Sequence, residues 1–213
     1  MNLKNITLYA LIGYTYLFVM RAIGTIFPAT NYDFTWLVVE VLLNLIANLG
    51  ITLFFLYLLK EFVHDDEVYL LNSTVVAFLG TLAILLVNSL NGISSILNMP
   101  IDHSASGRYL VNMLTWVHGF IIVLFFINLT ESLRKRKSSK LFKPVLWAAG
   151  GSLTAFLLHS NNLLNYYYFS TRGRIFLDLD KDLLMIPGVL LITFSYISMI
   201  YFLICFHERI EKN

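Results

Sequence analysis

Six long apolar segments dominate this chain, and they limit the folds that it can adopt. A helix that crosses a bilayer needs about 20 largely apolar residues. Six stretches of the sequence meet that length, at residues 6–27, 34–59, 68–97, 109–133, 144–169 and 184–206. Of the 213 residues, 58% are hydrophobic and only 13% are charged, which excludes an ordinary soluble domain. The sequence therefore predicts an all-α, polytopic integral membrane protein with a single six-helix transmembrane domain over residues 1–213.

The distribution of positive charge predicts how these helices are oriented. The link between the fourth and fifth segments is strongly basic, with charges at Arg134, Lys135, Arg136, Lys137, Lys140 and Lys143. The positive-inside rule places such a link in the cytoplasm, and an even number of spans then places both termini there too. We expect a multi-pass protein of the cell (plasma) membrane, surrounded by the lipid bilayer. No basic patch outside this link indicates a nucleic-acid partner.

Ionisable and polar residues interrupt the apolar segments at one depth. Both helices of a hairpin rise about 1.5 Å per residue, so residues equally far from the turn lie at similar depth. By this measure five residues approach one level in the outer half of the membrane: Arg21, Glu40, Asn88, His118 and His159. Such groups are unfavourable in lipid, and we expect them to face protein or a cavity.

Two helix faces extend this layer. Asn162 follows His159 by three residues and Asn44 follows Glu40 by four, so each pair shares one face of its helix. Arg21 and Glu40 have opposite charges at one depth, and we expect them to form an ion pair across the first hairpin. The predicted ligand- or proton-binding residues are Arg21, Glu40, Asn44, Asn88, His118, His159 and Asn162.

Each of these residues also has a purely structural interpretation. Asparagines in membrane helices often hydrogen-bond across helix interfaces. Arg21 and Glu40 can be a structural ion pair, and the two histidines can be neutral imidazoles bonded to asparagines. The sequence leaves both interpretations open.

A weak internal repeat accompanies the polar layer. Residues 53–56 match residues 124–127, and residues 80–82 match residues 151–153, both at an offset of 71 residues. Residues 200–203 repeat the first pattern more loosely. The offset is a third of the chain length, and it suggests three weakly repeated helical hairpins. Chance matching between apolar segments is the alternative.

Recognisable enzymatic and metal-binding motifs are missing from the sequence. There is no G-x-S-x-G, H-E-x-x-H or P-loop, and the single cysteine excludes an internal disulfide and a CxxC redox pair. Asp178, Asp180 and Asp182 lack the glycine and the closing glutamate of a calcium loop. We therefore expect a non-enzyme without a metal site, and the sequence indicates no particular cofactor or protein partner.

Three functions from different classes fit these features. The one that we favour is a small carrier or permeation protein whose pocket binds a small polar solute or couples protons through Glu40, His118 and His159. The second is a ligand-sensing or regulatory membrane module, in which the same pocket moves the last helix. The third is an intramembrane enzyme, including a haem protein with His118 and His159 as axial ligands.

The predicted topology can be tested by cysteine labelling at Ser138, in the basic link. In a Cys205→Ser background, a cysteine at Ser138 should not react with an impermeant thiol reagent added outside intact cells, because the link is expected in the cytoplasm. A control cysteine at Thr30, in the first predicted outer link, should react. Strong external labelling at position 138 would reverse the orientation of every helix.

Overall fold

The computed structural model shows six helices and confirms the predicted all-α fold. It describes residues 3–26, 34–63, 68–97, 105–135, 139–172 and 181–211. The helices are α1 (Leu3–Ile26), α2 (Phe34–Phe62), α3 (Val68–Ile96), α4 (Ala105–Lys135), α5 (Ser139–Arg172) and α6 (Lys181–Glu211). Each contains a segment that is long and apolar enough to cross a membrane. The chain is therefore described below as a multi-pass membrane protein.

Several helices are longer than the apolar segments that predicted them. The fourth helix begins at Ala105 instead of residue 109, and α5 spans Ser139–Arg172 instead of 144–169. The physical reason is that hydropathy marks only the part of a helix that suits the bilayer core, whereas backbone hydrogen bonding continues into the polar flanks.

The six helices form a closed ring. Each helix packs against its neighbours in chain order, and contact between α1 and α6 closes the ring. The first two helices are antiparallel, because Tyr9 of α1 lies beside Gly50 of α2 while Gly13 lies beside Ala47. We call the end of the ring that holds Leu3 and Glu211 the terminal end, and the opposite end the hairpin end.

Glycines allow the first two helices to approach closely. A Cβ atom at Gly13 would lie 2.7 Å from the backbone oxygen of Ala47, and one at Gly50 would lie 2.9 Å from the backbone oxygen of Tyr9. Small residues at such contacts are typical of membrane helices, whose association depends on close packing. The first hairpin is thus a tightly packed pair.

Phenylalanines fill the centre of the ring toward the terminal end. Rings from α2, α4 and α6 meet edge to face, with centroid distances of 5.1 Å for Phe55–Phe125, 5.2 Å for Phe126–Phe202 and 6.3 Å for Phe54–Phe202. All five side chains are at most 2% exposed. We call these five residues the aromatic plug. Since they come from alternate helices, they connect opposite sides of the ring.

The aromatic plug lies at the repeated sequence pattern. Phe55, Phe126 and Phe202 occupy the same position of the patterns at 53–56, 124–127 and 200–203. Thr81 and Ser152, which are related by the same repeat, are both buried, and each donates its hydroxyl to a carbonyl oxygen three residues earlier at 2.9 Å. The arrangement is the one that three hairpins around a common centre would produce.

Two adjacent glycines of α5 allow a matched test of helix packing. A Cβ atom at Gly151 would clash with the Ser198 side chain of α6, whereas one at Gly150 would make only ordinary contacts with Phe194 at 3.7 Å. We expect Gly151→Ala to destabilise the protein by about 1–3 kcal/mol, the usual effect of overpacking. Gly150→Ala should keep or raise the melting temperature, because alanine favours a helix over glycine. Equal melting temperatures for the two variants in detergent would contradict the close α5–α6 contact.

Candidate functional site: a central cavity

A cavity lies in the middle of the ring, on the hairpin side of the aromatic plug. Its volume is about 300 Å³, and all six helices contribute to its lining. Binding pockets for small molecules usually have volumes of about 300–1,000 Å³. The cavity is therefore large enough for one small solute.

The floor of the cavity is apolar and belongs to the same hydrophobic cluster as the plug. It includes Ile51, Ile122 and Met199, each at most 7% exposed. Each lies about one helical turn from a plug phenylalanine on its own helix. The plug thus closes the cavity toward the terminal end.

Small residues, two of them polar, form part of the wall. Asn48, Gly119 and Ser195 all line the cavity, and each stands five residues before the first residue of its repeated pattern. The side-chain amide of Asn48 donates a hydrogen bond to the carbonyl oxygen of Asn44 at 2.7 Å. Residues at matching distances from the three sequence patterns therefore lie around the cavity.

A group of ionisable side chains lies farther toward the hairpin end. Arg21 of α1, His159 of α5 and Tyr196 of α6 all line the cavity. The charge of Arg21 acts on both of the other side chains. Because these three residues come from three helices, only the closed ring brings them to one site.

His118 joins this group from α4. It interacts electrostatically with His159, and a Cβ atom at the neighbouring Gly119 would lie 3.8 Å from His159 Cδ2. Its own Cδ2 lies 3.3 Å from the Cβ position of Gly80 in α3. Its Nε2 atom is buried and has no hydrogen-bond partner among the described residues. Buried polar atoms without partners are rare and are often found at functional sites.

The structure brings together part of the predicted site. Arg21, His118 and His159 line the cavity, whereas Glu40, Asn44 and Asn88 are not among its lining residues. Glu40 and Asn44 are half-buried on α2 and Asn88 is exposed on α3. The side chain of Asn162 lies outside the described part of the structure. Equal depth thus identified the level of the site but not which residues point inward.

Arg21 and Glu40 lie in different surroundings. Among the described residues no ion pair between them is seen; the charge of Glu40 acts on Tyr16, whereas Arg21 acts on His159 and Tyr196 across the cavity. Residue counting gives the depth of a side chain but not its direction around the helix axis. The predicted ion pair stays a prediction without support from this geometry.

Sequence analysis missed three polar lining residues that carry hydroxyl groups: Tyr14, Ser195 and Tyr196. Tyr14 precedes Arg21 by seven residues and so shares its helix face, a spacing that could have identified it. Ser195 and Tyr196 lie within an apolar run of α6 that gives no comparable signal.

Within the described ranges, no group of three His, Cys, Asp or Glu side chains could hold a metal ion. The aspartate series falls outside this test, because residues 178 and 180 and the side chain of Asp182 are not described. His118 and His159 are the lining residues whose nitrogen atoms could bind a cofactor metal.

No protein family, curated protein or solved structure matches this chain. The cavity is therefore the feature that bears on its function.

The unpartnered nitrogen of His118 makes a prediction about stability. His118→Leu should keep or raise the melting temperature, because removing a buried unsatisfied polar atom relieves a penalty of about 1–3 kcal/mol. Ser160→Ala is the matched control, since Trp116 Nε1 donates to Ser160 Oγ at 2.8 Å and would lose its partner. The control should lower stability by about 1 kcal/mol. Equal losses in both variants would show that His118 serves a structural hydrogen bond.

Proposed function

We propose that this protein is a small carrier or permeation protein of the cell membrane and that the central cavity is its solute-binding site. The observation that supports this function is one cavity that receives side chains from all six helices, including Arg21, His118 and His159. Ionisable groups inside a membrane domain commonly mark the path of a solute or a proton. In the proposed orientation the terminal end faces the cytoplasm and the cavity faces the outer half of the membrane.

The aromatic plug is the proposed inner gate. A solute in the cavity can reach the terminal end only after the phenylalanines separate. Each aromatic pair contributes about 0.5–1.5 kcal/mol beyond its area burial, a quantity that ligand binding can offset. Because the floor residues lie one turn from the plug, a bound solute contacts the same helices that hold the gate closed.

The two histidines are the proposed proton-binding groups. Imidazole is the side chain that changes charge most readily near neutral pH in water, and both rings line the cavity. Glu40 has no part in this proposal, because it is not among the cavity-lining residues. Proton coupling is thus assigned to His118 and His159 alone.

A sensory module is the second candidate, and the geometry of α6 is the observation that favours it. This helix supplies Ile192, Ser195, Tyr196 and Met199 to the cavity wall and continues to its end at Glu211. A ligand that shifts α6 would therefore move the terminal end.

A visible absorption spectrum of the purified protein tests the third alternative, a haem enzyme.

Two-sided cysteine labelling distinguishes a carrier from a sensor without knowledge of the solute. In a Cys205→Ser background, Ser195→Cys places a thiol in the cavity wall. A charged, impermeant thiol reagent should label it from either side of membrane vesicles, because a carrier exposes its site alternately. Phe202→Ala should accelerate labelling from the terminal side, since it removes part of the plug.

The control for this experiment is Ile197→Cys. This position is 51% exposed on the outside of the ring, where lipid excludes a charged reagent, so it should react slowly from both sides. Labelling of Ser195→Cys from one side only, with or without Phe202→Ala, would reject a carrier and favour the sensory module.

A further inference from the structure

The charge in the cavity has one sign among the described lining residues. Arg21, His118 and His159 line it, and no aspartate or glutamate does. Arginine stays protonated in proteins, whereas histidine is neutral or positive. The side chain of Arg21 is itself exposed, but its charge acts on His159 and Tyr196 in the cavity wall. The cavity therefore favours an anionic group over a cationic one.

The charged and apolar parts of the lining lie at different depths. Arg21 and His159 are the ionisable residues nearest the hairpin end, whereas Ile51, Ile122 and Met199 form the floor against the plug. The distance between the two levels is about two helical turns. A ligand that contacts both the charged residues and the apolar floor needs a charged head and an apolar chain.

The hydroxyl groups near the floor do not alter the preference of the cavity for an anionic head at one end and an apolar chain at the other. Thr81 donates to the carbonyl oxygen of Phe78 and Ser152 to that of Ala149, both at 2.9 Å. Their donors are thus used within their own helices and are not directed to a ligand. Nearer the hairpin end, the charge of Arg21 acts on Tyr196. The phenol of Tyr196 can donate a hydrogen bond to an anion.

We propose that the cavity binds a small amphipathic monoanion, with its carboxylate or comparable anionic group at Arg21 and His159 and its short apolar chain against Ile122 and Met199. This inference rests on the proposed function, because it names the ligand class of the same cavity. Hydrogen bonds between an arginine and an anion are stronger than those between neutral groups, so the head determines orientation and charge selectivity.

Binding of three molecules of one shape tests the charge selectivity. Hexanoate, hexanamide and hexylamine differ in the charge of the head, and calorimetry with the purified full-length chain measures their affinities. Hexanoate should bind about tenfold more tightly than hexanamide or better, with hexylamine the weakest. Each methylene group from butanoate to hexanoate should raise the affinity about fourfold, as expected for burial of an apolar chain.

Two variants and a control assign the selectivity to the cavity. Arg21→Gln and His159→Gln should each lower hexanoate affinity toward that of hexanamide and leave hexanamide binding unchanged. Arg134→Gln is the control, because Arg134 is 70% exposed at the terminal end and pairs with Glu131. It should preserve the preference for hexanoate.

Equal affinities for the three molecules in the wild-type chain would overturn the inference, and so would an undiminished preference in both glutamine variants. If a variant does not fold, the affinities of the wild-type chain for the three molecules still test the inference. Repeating the titration in nanodiscs with and without phosphatidylglycerol identifies the source of the anion. Unchanged hexanoate affinity indicates a free anion, whereas competition by the anionic lipid indicates a lipid headgroup.

This result is independent of the labelling test for transport. Anion binding together with one-sided labelling of Ser195→Cys supports the ligand class and rejects the carrier. Two-sided labelling without charge selectivity supports the carrier and rejects the ligand class.

Discussion

The contacts among the phenylalanines of α2, α4 and α6 are the interaction on which the rest of the structure depends. Among the described residues, the helix backbones approach one another only between neighbours in the ring, so side chains must fill the centre. Lipid chains are as apolar as these side chains, and helix association in a bilayer therefore relies on close packing instead of a hydrophobic driving force. The edge-to-face rings supply that packing across the centre and set the position of the helices around it.

The cavity is a direct consequence of where this packing ends. Toward the hairpin end, the large phenylalanines give way to smaller residues such as Asn48, Gly119 and Ser195, and the centre is left open. The same helices carry both features about two turns apart. A change in the plug is therefore expected to affect access to the cavity, and a ligand in the cavity acts on the helices that form the plug.

Polar groups in the cavity conflict with the usual rules for stability. His118 Nε2 is buried without a hydrogen-bond partner among the described residues, whereas Trp116, two residues earlier, has its indole nitrogen satisfied by Ser160. A structural role would be better served by a satisfied side chain. This contrast within one helix favours a functional interpretation of the histidine.

The sequence by itself determined the number of helices and the level along them at which the polar residues lie. Hydropathy and the rise of a helix are local properties, and they suffice for these features. Only the tertiary structure decided that Arg21, His118 and His159 share a cavity whereas Glu40 and Asn88 are not among its lining residues. The physical reason is that the rotation of each helix about its own axis depends on packing against its neighbours, and that rotation selects which residues at one depth face the centre.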